Sequence, residues 1–434
     1  MRLAADLTYH QGRFHSGLVV EIEDGLIASV APGSDGQRLA GQALVPGAVN
    51  AHSHTFQRAI RGRTEYRVLG REDFWTWRER MYHAANALSP EEIELVARLC
   101  FVEMLQAGTT SVGEFHYLHH NPDGTPYDNP DELALRIQAA AEWAGIHLVL
   151  LRCGYARAGF EREANPLQRR FIDPDPDFGL AAVTRLKARG LAVGLAPHSL
   201  RAVPFDWFRR WAEYARSRQL PLHMHVAEQP REVEECLAEH GARPIELLDR
   251  HGWLDERFVG VHAIHLTDDE VAALGRSFVC SCPTTERNLG DGIVRADELM
   301  AVGTRICLGT DSQCQIDPYE DARQLEYHLR LRKRERAVLE ASRLWSTVHA
   351  HGAASLGLAA GAIEAGLRAD LVAVDLEDST LAGSTVEDLP AAMLFGLGRS
   401  AIRQVWVGGR AALDPEKARR AACDFARVMG VLVS

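Results

Sequence analysis

Residues of the types that bind metals or move protons recur along this 434-residue chain, each directly after a short apolar run. His52 and His54 flank a serine, His225 begins an H-x-x-E pattern that ends at Glu228, and Asp311 lies in a Gly-Thr-Asp sequence. In an extended strand, residues two apart point to the same side, so both imidazoles of the first pair can face one ion. Three imidazole nitrogens and one carboxylate oxygen suit Zn²⁺ or Fe²⁺, with a position left for water. We therefore predict a metal site formed by His52, His54, His225 and Asp311.

Each of these residues also has a simpler interpretation when it is considered alone. The His52 and His54 pair is typical of a strand with one exposed face, and Asp311 could cap the helix that follows it. The joint occurrence of suitable types at the ends of several runs favours a common site, because the simpler interpretation needs several independent coincidences. Three other histidines are expected to lie exposed in one loop: His116, His119 and His120.

Eight apolar runs alternate with helical patterns, which is the βα rhythm of a parallel sheet. The predicted strands are Ala43 to Asn50, Thr109 to Glu114, His147 to Arg152, Ala192 to Ala196, Pro221 to Val226, Phe258 to Ala263, Ser277 to Cys282 and Arg305 to Leu308. Eight strands favour a closed (β/α)8 barrel, although a doubly wound open sheet stays possible on this count alone. The candidate metal ligands follow the C-terminal ends of these strands, where such barrels build their active sites.

The two chain ends are rich in β-patterns of another kind. Leu18 to Glu23 and Leu26 to Val30 flank an Asp-Gly turn and predict a hairpin, and similar segments recur at Asp370 to Val374 and Arg403 to Val407. Capping boxes predict helix starts at three positions: Ser89, Asn129 and Thr267. The segment from Thr64 to His83 interrupts the rhythm, and we interpret it as an inserted loop rich in Trp and Arg.

Composition excludes several kinds of function. The net charge is −11 and the longest basic cluster is the short Arg330 to Arg336 run, so a nucleic-acid partner is not expected. Only three of the 48 basic residues are lysines, which restricts Schiff-base, P-loop and carbamylated-lysine chemistry to Lys187, Lys333 and Lys417. The eight cysteines form no C-x-x-C pair and predict buried free thiols in a reducing compartment. Without a long apolar run, we expect a soluble cytoplasmic protein and no membrane partner.

Four sequence motifs together resemble the amidohydrolase superfamily. They are Leu44 to His54, the His225-Val226-Ala227-Glu228 motif, the strand-six histidine His262, and Gly309-Thr310-Asp311. The resemblance covers nearly the whole chain. It implies an α/β fold in which a metal-dependent (β/α)8 TIM-like barrel over residues 46–365 carries the metal site. It also implies a small β-sandwich domain built from both chain termini, residues 1–45 and 366–434.

Within the superfamily, binuclear members bridge two metals with a carbamylated lysine or a carboxylate near strand four. This chain has Ala196-Pro197-His198-Ser199 there, and Lys187 lies in the preceding helix, so one metal per subunit is expected. A closer similarity is to the formimidoylglutamate deiminase family. It lies in three segments: His52 to Ala59, Gly113 to Tyr117, and Cys282 to Gly290.

The closer similarity implies hydrolysis of N-formimino-L-glutamate to N-formyl-L-glutamate and ammonia during histidine degradation. It implies that His52, His54, His225 and Asp311 bind one Zn²⁺, with Fe²⁺ as an alternative. Proton transfer is assigned to three residues: His262, Glu228 and Asp311. The small dicarboxylate amidine substrate would contact Gln57, Tyr117, His198 and Arg201, and Arg78 would reach a carboxylate across the interface of a homodimer.

Two other hypotheses remain open from the sequence. A mononuclear aminohydrolase of a purine, pyrimidine or related heterocycle would use the same metal site but would need aromatic or amide contacts to a ring. A non-catalytic scaffold could share the fold, although such a protein has no need to keep all four ligands. Substrate specificity and metal content discriminate between these hypotheses.

Overall fold

The computed structural model describes residues 1–66 and 73–433, and its strands form two separate sheets. The first five strands are β1 (Arg2–His10), β2 (Arg13–His15), β3 (Leu18–Glu23), β4 (Leu26–Pro32) and β5 (Gln37–Pro46). Eight more follow: β6 (Ala48–Ser53), β7 (Thr109–His116), β8 (His147–Gly154), β9 (Val193–Pro197), β10 (Leu222–Val226), β11 (Phe258–His262), β12 (Phe278–Ser281) and β13 (Arg305–Leu308). The last three are β14 (Leu371–Asp375), β15 (Ile402–Val407) and β16 (Arg410–Ala411).

Strands β6 to β13 form the predicted parallel barrel, in which each strand pairs with its neighbour in the chain. A parallel bridge between Ser53 and Asp311 brings the first strand against the last. The predicted run from Ala43 to Asn50 is wrong as one strand, because the chain passes from one sheet to the other at Pro46 and Gly47. A Cβ at Gly47 would lie 2.2 Å from Thr110 Oγ1, so this crossing packs directly on β7.

The second sheet combines both ends of the chain, in the order β16-β15-β14-β5-β1-β3-β4. Strand β5 pairs in parallel with β1 and antiparallel with β14, so the N-terminal strands and the C-terminal strands share one sheet. The hairpin of β3 and β4 is confirmed. Apolar side chains from both ends, including Leu3, Leu44 and Trp406, form a core of their own. The sheet agrees with the predicted small terminal domain, while the exact domain boundaries stay a prediction.

Helices cover the outside of the barrel and most begin at a proline or a capping residue. They are α1 (Phe74–Ala87), α2 (Pro90–Gln106), α3 (Glu132–Ala144), α4 (Pro176–Ala188), α5 (Phe205–Arg218), α6 (Pro230–His240), α7 (Pro244–Arg250), α8 (Asp268–Ala273), α9 (Pro283–Leu289), α10 (Ala296–Ala301), α11 (Pro318–Lys333), α12 (Ala341–Val348), α13 (Ala350–Ser355), α14 (Leu389–Gly396) and α15 (Pro415–Val433). None of the helices in the described ranges is both long and apolar enough to span a membrane.

Two of the three predicted capping boxes are confirmed. Ser89 caps α2 together with Glu92, and Thr267 caps α8 together with Glu270. The predicted box at Asn129 is wrong, because α3 begins only at Glu132. The Asn129 side chain accepts a hydrogen bond from the Asp131 backbone instead, which is a turn and not a helix cap.

The segment predicted to be an inserted loop is largely helical. Helix α1 begins at Phe74, behind a capping box in which Asp73 and Thr76 exchange side-chain and backbone hydrogen bonds. Part of the predicted loop, residues 67–72, lies outside the described residues. The prediction is therefore wrong for the residues from 74 onward, since the Asp-x-x-Thr start signal was overlooked. Helix α1 buries Met81 and Tyr82 toward the mouth of the barrel.

The cysteines follow the prediction in part. All eight are free, and six of them are buried, including Cys280 and Cys282 at β12. Cys314 is partly buried, whereas Cys423 on α15 is exposed.

Candidate active site

The four predicted metal ligands meet at the C-terminal ends of the barrel strands. The Nε2 atom of His52 lies 3.1 Å from that of His54 and 3.2 Å from that of His225. The Asp311 Oδ1 atom lies 3.3 Å from His54 Nε2 and 3.5 Å from His52 Nε2. Tetrahedral ligands at ordinary Zn–N distances are about 3.3 Å apart, so the four atoms have the spacing of one metal ion's ligands.

The histidine rings are held with Nε2 directed at this centre. The Nδ1–H group of His54 donates to the Phe115 carbonyl at 2.9 Å, and that of His225 donates to the His198 carbonyl at 3.1 Å. These bonds fix the tautomer and leave each Nε2 lone pair for a metal. Burial lowers the pKa of His52 to about 3 and also lowers the pKa of His54. The rings are therefore neutral at pH 7, which is the form that binds a metal.

The backbone at the barrel rim is bent sharply where it presents these groups. Asp311 has φ +46° and His262 has φ +70°, a left-handed conformation that non-glycine residues adopt at a cost. Backbone hydrogen bonds hold Asp311 in place, because its N–H donates to the His52 carbonyl and its carbonyl accepts from His54 N–H, both at 3.0 Å. Ala227 has φ +50°, and the buried Glu232 carboxylate accepts from the backbone N–H groups of Ala227 and Glu228 at 3.1 Å.

Two proton-transfer candidates face each other beside the metal ligands. His262 Nε2 lies 3.7 Å from Glu228 Oε1 and 3.9 Å from Asp311 Oδ2. Burial alone would lower the pKa of His262, but while Glu228 is ionised its charge and the hydrogen bond to Glu286 outweigh burial and raise this pKa to about 10. Burial raises the pKa of Glu228. A carboxyl with a raised pKa and an imidazole that is hydrogen-bonded at Nδ1 and has carboxylates near Nε2 are suited to acid and base catalysis.

A pocket opens above these residues. Its wall contains the predicted contacts Gln57, Tyr117, His198 and Arg201, and the Gln57 amide donates to the Tyr117 hydroxyl at 2.7 Å. Further lining residues were not predicted: Phe74, Trp77, Met81, Tyr82, Tyr155 and Leu289. Four of these six belong to α1, and they were missed because that segment was interpreted as a loop.

Two arginines enter the pocket from different elements. Arg78 lies on α1, and Arg201 follows β9 and is only 3% exposed. In each guanidinium, Nε and Nη1 are buried and have no hydrogen-bond partner among the residues that the structure describes. The carboxylate of Glu228 is 3.9 Å from Arg201 Nη2, beyond hydrogen-bonding distance. Buried guanidinium groups left unsatisfied in this way favour an anionic ligand.

Arg78 lines the pocket of its own chain. The expectation that it reaches a substrate carboxylate across a dimer interface stays a prediction. The guanidinium carbon of Arg78 lies 4.5 Å from the centre of the Trp75 ring and 5.6 Å from that of Tyr82. Helix α1 carries all three residues, so the arginine is held within one subunit by cation–π contacts.

The prediction that three histidines near β7 are exposed is wrong. His116, His119 and His120 are each at most 4% exposed. The chain after β7 folds inward, because the backbone N–H groups of His119 and His120 both donate to the Arg170 carbonyl, at 3.0 and 3.1 Å. His119 Nε2 also lies 3.0 Å from the Cys153 carbonyl oxygen. These rings support the barrel wall and are not part of the metal cluster.

Comparisons with known proteins agree with this architecture. The amidohydrolase family model matches residues 43–412. The formimidoylglutamate deiminase of Pseudomonas aeruginosa is 41% identical over 94% of each chain, and the 8-oxoguanine deaminase of the same organism is 31% identical over 84% of this chain and 81% of its own. A crystal structure of an amidohydrolase from Brucella melitensis superposes with a TM-score of 0.91 at 35% identity, covering all of both chains. An adenosine deaminase from Xanthomonas campestris, solved with bound zinc, shares the fold at 22% identity over 98% of each chain, with a TM-score of 0.81.

Proposed function

The chain belongs to the amidohydrolase family, a family of metal-dependent hydrolases, and we propose that it hydrolyses N-formimino-L-glutamate to N-formyl-L-glutamate and ammonia. The observation that carries this proposal is the pair of arginines in the same pocket as the metal cluster, the buried Arg201 and the partly buried Arg78, each with buried guanidinium nitrogens that have no hydrogen-bond partner among the described residues. A linear substrate with two carboxylates satisfies both guanidinium groups. The 41% identity to the formimidoylglutamate deiminase of Pseudomonas aeruginosa supports the same substrate.

We propose that the metal is one Zn²⁺ per subunit, with Fe²⁺ as the alternative for the same ligands. The spacing and neutral state of His52, His54 and His225 fit either ion, and Asp311 supplies the fourth ligand. A zinc ion held there would act as a Lewis acid and lower the pKa of water from about 16 toward about 7. A second ion is not expected, because the loop after β9 offers His198 and Arg201 where a bridging residue would be needed.

The chain's own residues would move the protons of the reaction. Attack of water on the amidine carbon releases one proton, and His262 Nε2 lies beside Asp311 in a position to accept it when Glu228 is protonated and its charge no longer raises the pKa of the ring. The leaving nitrogen needs a proton to depart as ammonia, and Glu228, whose pKa is raised by burial, is suited to donate it. Proton transfers of this kind are worth about 10²- to 10⁴-fold in rate.

Substrate orientation would depend on the two guanidinium groups and on the neutral donors between them. Planar guanidinium groups bind carboxylates through two parallel hydrogen bonds, which fixes direction as well as charge. Gln57, Tyr117 and His198 line the wall between α1 and the metal ligands, where the amidine would lie. Aromatic side chains form part of the pocket wall, and exclusion of water by a bound substrate would strengthen these charge interactions.

Turnover measurements test this function directly. With zinc supplied, we expect the protein to hydrolyse N-formimino-L-glutamate, and guanine, adenosine and cytosine to be poor substrates. The similarity to an 8-oxoguanine deaminase makes ring aminohydrolysis the second candidate. Ring deamination without formiminoglutamate turnover would refute the proposal in favour of that candidate.

Metal analysis tests the non-catalytic alternative. We expect close to one equivalent of zinc per chain after supplementation, and less than about a tenth of an equivalent would favour a scaffold. Asp311→Asn should reduce both the zinc content and the activity, because it weakens one of four ligands. The homodimer and the cytoplasmic location stay predictions, and gel filtration would test the first of them.

A further inference from the structure

A carboxylate that sequence reasoning left without a role contacts His262 on the side away from the pocket. Glu286 lies on α9 and is 2% exposed, and its Oε1 atom is 3.3 Å from His262 Nδ1. We propose that Glu286 is a positioning residue, which holds the His262 ring so that Nε2 faces the reacting atoms. This inference rests on the proposed function, since it concerns the same hydrolytic site.

The hydrogen bonds around Glu286 show that both of its oxygens act as acceptors. The Cys282 backbone N–H donates to Glu286 Oε1 at 2.7 Å, and the Ser281 hydroxyl donates to Oε2 at 2.9 Å. An ionised carboxylate can only accept hydrogen bonds, so the His262 nitrogen facing it must carry a proton. His262 is therefore held with Nδ1–H toward Glu286, and in the neutral ring Nε2 keeps its lone pair.

This tautomer is the one that the reaction needs. Nε2 is the atom 3.7 Å from Glu228 and 3.9 Å from Asp311, so it faces the position where the attacking water would lie. When Nε2 takes the proton of that water, the ring becomes an imidazolium, and the Glu286 charge stabilises it. In the opposite tautomer, Nε2 would carry a proton already and could not accept another.

Three side chains here each offer one atom that could bind a metal, and these atoms lie within 4.8 Å of one another: His262, Cys282 and Glu286. A metal ion there would occupy His262 Nδ1. The geometry favours the positioning role, since both oxygens of Glu286 already accept hydrogen bonds from Cys282 N–H and Ser281 Oγ. Burial also raises the pKa of the Cys282 thiol, which keeps it protonated and a poor metal ligand.

A double-mutant cycle tests whether Glu286 acts through His262. Glu286→Gln keeps the shape of the side chain but removes the charge, and we expect kcat to fall about 10- to 100-fold with KM within about threefold and zinc content unchanged. In a His262→Asn background the same substitution should change kcat less than about threefold, because its target is absent. Equal losses in both backgrounds would show a merely structural role and overturn the inference.

Ser281→Ala is the matched control. It removes the hydrogen bond to the other oxygen of Glu286 and leaves the contact with His262, so kcat should fall less than about threefold. A fall in kcat as large as that of Glu286→Gln would overturn the inference, because a general disturbance of the structure at the end of β12 would then explain both losses of activity. Glu286→Asp serves as a second variant if Glu286→Gln does not fold, and its loss should also disappear in the His262→Asn background.

A spectroscopic readout does not depend on activity. In ¹⁵N-histidine-labelled protein, the resonances that vanish in His262→Asn identify this ring, and the wild type should show a protonated Nδ1. A protonated Nε2 with a bare Nδ1 in the wild type would overturn the inference. Turnover of N-formimino-L-glutamate by the wild type is measured separately, so failure of the proposed function can be distinguished from failure of the Glu286 inference. If that substrate is not hydrolysed, the double-mutant cycle uses whichever substrate the wild type hydrolyses.

Discussion

Arg201→Ala is expected to reduce substrate recognition without disturbing the metal. The guanidinium is 3% exposed, and two of its three nitrogens have no hydrogen-bond partner in the described part of the chain. Removal of one partner from a buried, hydrogen-bonded charge pair costs about 2–5 kcal/mol. At about 1.4 kcal/mol for each factor of ten, kcat/KM for N-formimino-L-glutamate should fall by about 30- to 4,000-fold. Arg201→Lys keeps the charge but loses the bidentate geometry, so its loss should be smaller.

Steady-state kinetics and zinc analysis of the same preparations measure the two effects. Zinc content should stay within about 20% of the wild type, because Arg201 contacts none of the four ligands. Arg231 provides the matched control, since its guanidinium lies 4.8 Å from the Trp75 ring but is half exposed and pairs with Glu235 at 2.7 Å. Arg231→Ala should change kcat/KM less than about threefold. A loss below fivefold in Arg201→Ala, or zinc loss that parallels the activity, would refute the assigned role.

Two other predictions concern proton transfer and the packing of a metal ligand. Burial raises the pKa of Glu228, so this carboxyl keeps its proton above the usual range and kcat should fall as pH rises through that pKa. Glu228→Gln should lower kcat about 10²- to 10⁴-fold and abolish this alkaline limb; a pH–rate profile that keeps the limb contradicts the assignment. Gly309→Ala should reduce zinc content, because the added Cβ would lie 2.7 Å from the Cβ of His52 and 2.8 Å from its carbonyl oxygen. Gly430→Ala is the control, since its Cβ would meet no atom within 4 Å, and metal analysis with thermal melting compares the two variants.

The barrel strands could be predicted because each of them is a run of apolar residues that are neighbours in the sequence. Seven of the eight predicted strands overlap single observed strands within about two residues. The metal ligands were predictable for the same reason, since strand ends converge in a closed parallel barrel. The run from Ala43 to Asn50 was not predictable as two strands, because continuous apolar character does not show that Gly47 marks a crossing between sheets.

The parts that sequence reasoning missed depend on contacts between distant residues. Burial of His119 and His120 requires the Arg170 carbonyl, about 50 positions later in the chain. Glu286 contacts His262 because α9 follows β12, the strand that pairs with β11, and no periodic pattern in the sequence indicates such a contact. Helix α1 was missed for a different reason. Its Trp and Arg residues face a pocket that holds polar and aromatic groups together, so the helix lacks a clean apolar stripe.

The bridge between Ser53 and Asp311 has a consequence for biosynthesis. The backbone hydrogen bonds that close the barrel are made by the same short segments that carry His52, His54 and Asp311, yet these segments are more than 250 residues apart in the chain. A nascent chain that has not yet emerged beyond residue 311 therefore holds three ligands at most. High-affinity uptake of the proposed metal ion has to wait for the last strand, so binding of the ion would mark closure of the barrel during synthesis.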